Sequence, residues 1–243
     1  MLHRSARFFL VVFALCGSFI QMVSAQDVHA PGVSVGETAD AAAAAAKDKK
    51  KGWKSLFNGK DLQGWKVTDF GGEGAVTVGD KGDVTIEEGV DLSGITTTRK
   101  DLPTTNYEVR FEAQRSKGTD FFVGYTFPVG DSACSLVMGG WGGGVCGISS
   151  LDFMDASEND TTQYRDFVRG KWYEVRVRVT DTHIQAWLGK STLANVERSS
   201  YKVDVRFEME ASKPMGFATY QTVGKIRNAR LRTLTADEVK LKP

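Results

Sequence analysis

Histidine is scarce in this chain: of 3 in 243 residues, His3 and His29 lie near the start, which leaves His183 alone in the part that reads as folded. No Ser-His-Asp arrangement stands out. No histidine lies near the cysteines to complete a tetrahedral metal set either. An excess of one charge is also missing, with 31 basic residues against 30 acidic and a formal net charge of +1. That balance gives no electrostatic reason to expect nucleic acid or an anionic membrane surface as partner. The basic residues Arg227, Arg230 and Arg232 are interspersed with apolar ones and read as a solvated strand face. The glycines between 139 and 144 lack the following helix that a phosphate loop requires. No helical stripe of the folded region runs beyond two turns; Ser157 to Phe167 is the candidate for a short helix.

Long apolar runs are missing as well. Phe8 to Ile20 is shorter than the ~20 residues of a transmembrane helix. It follows the basic His3, Arg4 and Arg7 and precedes the small residues Val23-Ser24-Ala25, so residues 1–25 read as a signal peptide cleaved after Ala25. A lipid attachment at Cys16 is disfavoured, because Phe13-Ala14-Leu15 makes a poor lipobox. The expected location is secreted, periplasmic or cell-envelope. Residues 26–51 carry an alanine run, Ala41 to Ala46, and then Lys47-Asp48-Lys49-Lys50-Lys51, and read as a disordered linker. The folded domain is expected over 52–236, with a tail at 237–243.

Alternation of apolar and polar residues fills that domain. Tyr107, Val109, Phe111 and Ala113 alternate with Glu108, Arg110, Glu112 and Gln114; Val175, Val177 and Val179 alternate with Glu174, Arg176 and Arg178. Phe121, Val123, Tyr125 and Phe127 repeat the pattern, as do Val203, Val205, Phe207 and Met209. A period of two marks strands with one buried face. Turn signals at Gly71-Gly72, Gly79-Asp80-Lys81-Gly82, Gly118-Thr119-Asp120 and Gly189-Lys190-Ser191 separate them. The fold class is all-β, an antiparallel two-sheet sandwich of jelly-roll type, with a closed barrel as the alternative.

The segment from Cys134 to Phe167 concentrates the chemistry. Loss of the signal peptide leaves Cys134 and Cys146, flanking a glycine-rich turn. A disulfide across a hairpin and a pair of buried free thiols both fit. Trp141 sits among glycines, where its indole could stack on the C–H face of a sugar or fold back over the sandwich as a plug. Asp152, Asp155, Glu158, Asn159 and Asp160 form an acidic loop. Asp155, Glu158 and Asp160 are candidate ligands for calcium or another divalent metal, without the spacing of an EF-hand. The same loop offers catalytic candidates: Asp152, Asp155 or Glu158 as base, Arg165 as stabiliser of an anion, Tyr164 as proton donor. A solvated acidic loop is the commoner explanation of such a composition. On the strand from His183 to Leu188, the residues His183, Gln185 and Trp187 share a side that could line a sugar groove or simply cover the outer face.

The opening of the domain, Gly52-Trp53-Lys54-Ser55-Leu56-Phe57-Asn58-Gly59-Lys60-Asp61-Leu62-Gln63-Gly64-Trp65, resembles the start of the 3-keto-disaccharide hydrolase domain family. Asn106 to Phe111, Gly170 to Val175 and Lys225 to Leu231 resemble further strands of that family. The resemblance implies a concanavalin A-like sandwich in an exported bacterial protein that acts on carbohydrate. Some members cleave 3-keto glycosides by hydrolysis or elimination. A 3-keto group acidifies the neighbouring C–H, so one base and one enolate stabiliser suffice for elimination. Two regions depart from the family pattern. Asp120 to Tyr125 lacks the arginine of the family's central strand, and Gly147 to Asp152 stands where a glutamine-isoleucine-leucine-aspartate strand is usual. The expected function is hydrolysis or elimination of a glycosidic bond, with a noncatalytic carbohydrate-binding module as the alternative.

Overall fold

The computed structural model describes residues 51–240. The signal peptide expected over 1–25 and nearly all of the linker lie outside the described residues. Within them the strands are, in chain order, β1 (Lys54–Ser55), β2 (Trp65–Val67), β3 (Val76–Val78), β4 (Val84–Ile86), β5 (Leu92–Thr97), β6 (Tyr107–Gly118), β7 (Val123–Val129), β8 (Ser132–Gly140), β9 (Val145–Ser149) and β10 (Gln163–Tyr164). They continue with β11 (Trp172–Val179), β12 (His183–Leu188), β13 (Ser191–Glu197), β14 (Gly216–Tyr220) and β15 (Thr222–Thr233), followed by a helical turn α1 (Ala236–Lys240). No helix among the described residues is long and apolar enough to cross a membrane.

The strands form two antiparallel sheets packed face to face. The first runs β13-β12-β11-β6-β15-β4-β3, with β1 also paired to β15; the second runs β10-β9-β8-β7-β14-β5-β2. Alternation explains the packing. Tyr107, Val109, Phe111 and Ala113 of β6 are fully buried or nearly so, as are Val175, Val177 and Val179 of β11. Phe217 of β14 occupies the centre of the interlayer. Its ring lies 5.0 Å from Phe111, 4.8 Å from Tyr125, 5.7 Å from Trp65 and 6.0 Å from Phe57. The opening motif is therefore part of the core. Leu56, Phe57 and Trp65 are buried, and the Trp65 indole N–H donates to the Leu56 carbonyl at 2.9 Å. Asn58 shapes the turn between them, its Oδ1 accepting the N–H groups of Lys60 and Asp61 at 2.9 and 3.0 Å.

The outer face of the first sheet carries the basic residues read from sequence, laid flat on tryptophan rings. Arg176 lies 3.8 Å over Trp187, Arg227 4.1 Å over Trp172 and Arg110 4.5 Å over Trp53. Glu108 anchors this layer from beneath, accepting two bonds from Arg178 at 2.8 and 2.6 Å.

One open choice is decided and three expectations are corrected. Cys134 and Cys146 are free thiols. They do lie on a hairpin, but Cys146 faces Met138, four residues along β8 from Cys134. At ~3.3 Å per residue that is about 13 Å, well beyond the ~7 Å limit for a disulfide. Phe121 does not belong to the β7 frame; Phe122 is the core residue, while Phe121 packs on the opposite side of the sheet. The segment from Val203 to Met209 is not a strand. It makes one bridge, Leu151 to Val203, and then winds into a 3-10 helix, Phe207–Ser212, that leaves Phe207 80% exposed. Ser157 to Phe167 holds turns and β10 rather than a helix.

Truncating Phe217 to Ala removes the ring on which four others rest. The expected loss is about 3–5 kcal/mol of stability, read from denaturant unfolding; a loss under about 1 kcal/mol would mean that the interlayer collapses onto the gap.

Candidate functional site

The outer face of the second sheet carries small side chains across its middle. Neighbours in register share a face, and two rows of them cross the sheet. One row reads Gly94, Ala218, Gly124, Val137, Gly147; the next reads Thr96, Gly216, Thr126, Ser135, Ser149. Nothing larger than valine stands on this floor. Its polar groups are hydroxyls, with Thr126 and Ser135 joined at 2.9 Å and Thr96 joined to Thr68 at 2.7 Å. The floor carries no ionisable side chain.

A cavity of about 350 Å³ opens over these rows. Connections supply its walls. Asp120 and Phe121 come from the β6–β7 connection, Trp141 from the β8–β9 turn, Tyr220 from the end of β14, and Arg206, Glu208 and Met209 from the segment between β13 and β14. Trp141 is 46% exposed and turns its backbone into the left-handed region at φ 49°. Asp120 accepts the Gly142 N–H at 2.9 Å through Oδ2 and the Phe121 N–H at 2.7 Å through Oδ1.

Arg206 is the electrostatic centre. Its Nε and one terminal nitrogen donate to the two oxygens of Glu208 at 3.2 and 2.9 Å, and its other terminal nitrogen donates to Asp155. The guanidinium bonds hold the Glu208 carboxyl below its ordinary range. Glu208, first by direct bonding, and then Asp155 push Arg206 up. On the other wall, the Asp91 carboxylate pushes the Tyr220 phenol above its ordinary range, with Asp120 adding a smaller effect, so Tyr220 stays protonated near neutrality.

The acidic loop has a different task from the one its composition suggests. Three of its acids pin the crossing segment: Asp160 accepts the Tyr201 hydroxyl at 2.7 Å, Asp152 accepts the Lys202 N–H at 2.7 Å, and Asp155 pairs with Arg206. Main-chain bonds reinforce them, Ser150 N–H to the Asp204 carbonyl at 2.7 Å and Asp204 N–H back to Ser150 at 3.2 Å. Of the catalytic candidates read from sequence, only Asp155 reaches the cavity, through Arg206. Asp152 and Glu158 lie outside it, Glu158 accepting the Asp155 N–H at 3.4 Å. Tyr164 is 72% exposed on β10, and the Arg165 guanidinium bonds the Tyr164 carbonyl and Gln163. The candidate metal set Asp155, Glu158 and Asp160 does not assemble: among the described residues no three His, Cys, Asp or Glu side chains converge as ligands. His183, Gln185 and Trp187 belong to the first sheet and face away from the cavity. There Gln185 bonds Asn195 at 3.1 Å, and Trp187 carries Arg176.

Sequence reasoning found Trp141 and missed Asp120, Arg206, Glu208 and Tyr220. The signal for Arg206 and Glu208 was present but assigned to a solvent face, because the segment was taken for a strand. Asp120 sat in a recognised turn, without a pattern to single it out.

Residues 52–232 match the sequence pattern of the 3-keto-alpha-glucoside-1,2-lyase-like domain. The chain belongs to this family. Solved structures agree on the fold. A candidate glycosyl hydrolase from Parabacteroides distasonis is similar at TM-score 0.51 and 16% identity, covering 78% of this chain and 97% of its own. The Crh5 transglycosylase in complex with NAG is similar at TM-score 0.52 and 13% identity, covering 76% of this chain and 84% of its own. No protein among the curated ones matches the chain. At these identities the likeness establishes the sandwich alone. The matched residues 52–232 include both the core around Trp65 and every residue that lines the cavity.

The Glu208–Arg206 pair predicts a pH signature. The folded carboxyl titrates below the unfolded one, so its stabilisation is complete above the unfolded value of about 4.3 and is lost as pH falls through the folded value. The difference in unfolding free energy between wild type and Glu208→Gln should be constant from neutrality to about pH 5, then shrink below about pH 4.3. Urea unfolding across that range checks it; a difference independent of pH would contradict the assignment.

Proposed function

We propose that this protein is an exported carbohydrate-active enzyme that cleaves 3-keto glucosides by elimination at the cavity on the second sheet. The observation that carries the reading is the wall of that cavity: an exposed indole, a guanidinium between two carboxylates, and a protonated phenol around a floor without charge. Trp141 offers an apolar face for the sugar ring. The floor hydroxyls of Ser135 and Ser149 suit sugar hydroxyls. Membership in the lyase-like family supports the choice of a keto sugar as substrate.

The chemistry follows from charge balance. The ketone at C3 acidifies the C2–H, and Glu208 takes that proton while the C–H electron pair becomes the enolate. Protonation of Glu208 removes one of the two carboxylates that neutralise Arg206. The guanidinium is then free to compensate the new negative charge on the enolate oxygen. The enolate electrons return to form the C1–C2 double bond, the C1–O bond breaks, and Tyr220 gives its proton to the departing oxygen. Products are an unsaturated keto sugar and an alcohol; addition of water across the double bond would complete a hydrolysis.

The test compares methyl α-glucoside with methyl 3-keto-α-glucoside. Release of methanol is expected from the keto form only. Glu208→Gln should lower kcat by about 10²-fold or more, the usual worth of a positioned base, while changing the Kd by no more than a few fold. Unaltered turnover in that variant would remove Glu208 from the reaction.

A second reading, a noncatalytic carbohydrate-binding module, is favoured by one observation: both carboxylates at Arg206 are committed to its guanidinium, as in a fixed polar contact. Tight binding of either glucoside with no product from either decides for it. Export is proposed from the basic, apolar and small-residue succession of residues 1–25. Mass spectrometry of the envelope fraction should find the mature N-terminus at Gln26; an intact Met1 on the folded protein would refute cleavage.

A further inference from the structure

Arg115 of β6 is 7% exposed, and its guanidinium is spent on main chain. One terminal nitrogen donates to the carbonyl of Gly139 at 3.1 Å and to that of Gly143 at 2.8 Å. The group lies between aromatic rings, 5.2 Å from the centroid of Phe122 and 5.7 Å from that of Phe167, and its Nε is buried without a hydrogen-bond partner. Placing an arginine inside a sandwich without a bonded carboxylate is costly, which calls for a reason.

The two carbonyls it holds bracket Trp141. Between them the backbone is contorted: Gly139, Trp141, Gly142 and Gly143 all have positive φ, at 75°, 49°, 84° and 124°. Tryptophan is an unusual occupant of that region, and such a conformation persists only where its surroundings impose it. Arg115 grips the turn from beneath at both ends, and Asp120 holds the Gly142 N–H. The glycines fit this grip. The guanidinium of Arg115 fills the space that a side chain at Gly139 would need, and a Cβ at Gly143 would fall 2.8 Å from the Thr119 carbonyl.

We infer that Arg115 is a positioning residue for Trp141, a buried clamp that fixes the 139–143 turn so that the indole stands at the cavity mouth ready for a sugar ring. It touches no ligand and acts through Trp141 alone. The inference rests on the carbohydrate reading of the cavity for its ligand, but not for its effect on the turn.

Two measurements test it. Hydrogen exchange across residues 136–145 needs no ligand. Arg115→Met should speed exchange there while leaving the distant strands β12 and β13 unchanged, and equal exchange in wild type and variant overturns the clamp. Titration with methyl 3-keto-α-glucoside reads the consequence. Arg115→Met is expected to raise the Kd about tenfold with kcat within about twofold, the loss of a stacked contact. In a Trp141→Ala background the same change should have no further effect. Losses that add in the double variant, or an unaltered Kd in a folded Arg115→Met protein, overturn the inference. Should Arg115→Met not fold, Arg115→Gln, which is shorter and uncharged, is put to the same two measurements with the same expected signs. A wild type that neither binds nor cleaves the keto glucoside refutes the functional reading, and the exchange experiment alone then decides the clamp.

Discussion

The structure depends on one spatial constraint: the middle of the second sheet must present almost no side chain on its outer face. Everything that builds the cavity approaches through that gap. A Cβ on Gly124 would lie 3.0 Å from the Phe121 ring and 3.4 Å from the Met209 methyl, and one on Gly147 would lie 3.0 Å from the Thr161 hydroxyl. Phe121, Met209 and the loop bearing Thr161 therefore rest almost on the backbone of the sheet. They form a small apolar layer of their own, with Val137, Val145, Ala156, Val205 and Ala218. The main core on the other face supplies the burial that keeps strands with so little bulk outside paired.

The two faces differ in how plainly the sequence announces them. The inward residues of β6, β11 and β12 repeat with a period of two and large apolar side chains, so the sandwich was legible. Face assignment failed where the period was ambiguous. Phe121 and Phe122 are adjacent aromatics; the frame of Val123, Tyr125 and Phe127 holds, and only its first member is exchanged, Phe122 entering the core and Phe121 the cavity wall. The stretch from Val203 to Arg206 runs without helix up to the 3-10 turn that begins at Phe207, and a chain of alternating composition need not join a sheet; composition holds no record of the departure at Arg206. Register was equally hidden. The Cys134–Cys146 hairpin could be read, but not its irregularity between Met138 and Gly140, nor the offset that separates the thiols.

The acidic loop shows how a cluster that looks like a centre can be its support. Asp152, Asp155 and Asp160 each fasten a residue of the segment from Tyr201 to Arg206. Their density reflects the need to hold an otherwise unpaired chain against the sheet. Only at Asp155 do support and site coincide, since the carboxylate that anchors Arg206 also sets the charge that its guanidinium has left to offer.

That fastening has a consequence for how such a protein diverges. The segment over 201–212 joins no strand ladder, is held by the acidic loop and by single bonds from Ser132 and Thr96, and carries both Arg206 and Glu208. The polar wall of the cavity is thus a removable fitting over an uncharged floor. A relative could replace this single strap and present other groups over the same floor while every strand pairing and the ring cluster around Phe217 stayed as they are. Variation in the strap would then be tolerated by the fold and visible chiefly in what the cavity accepts.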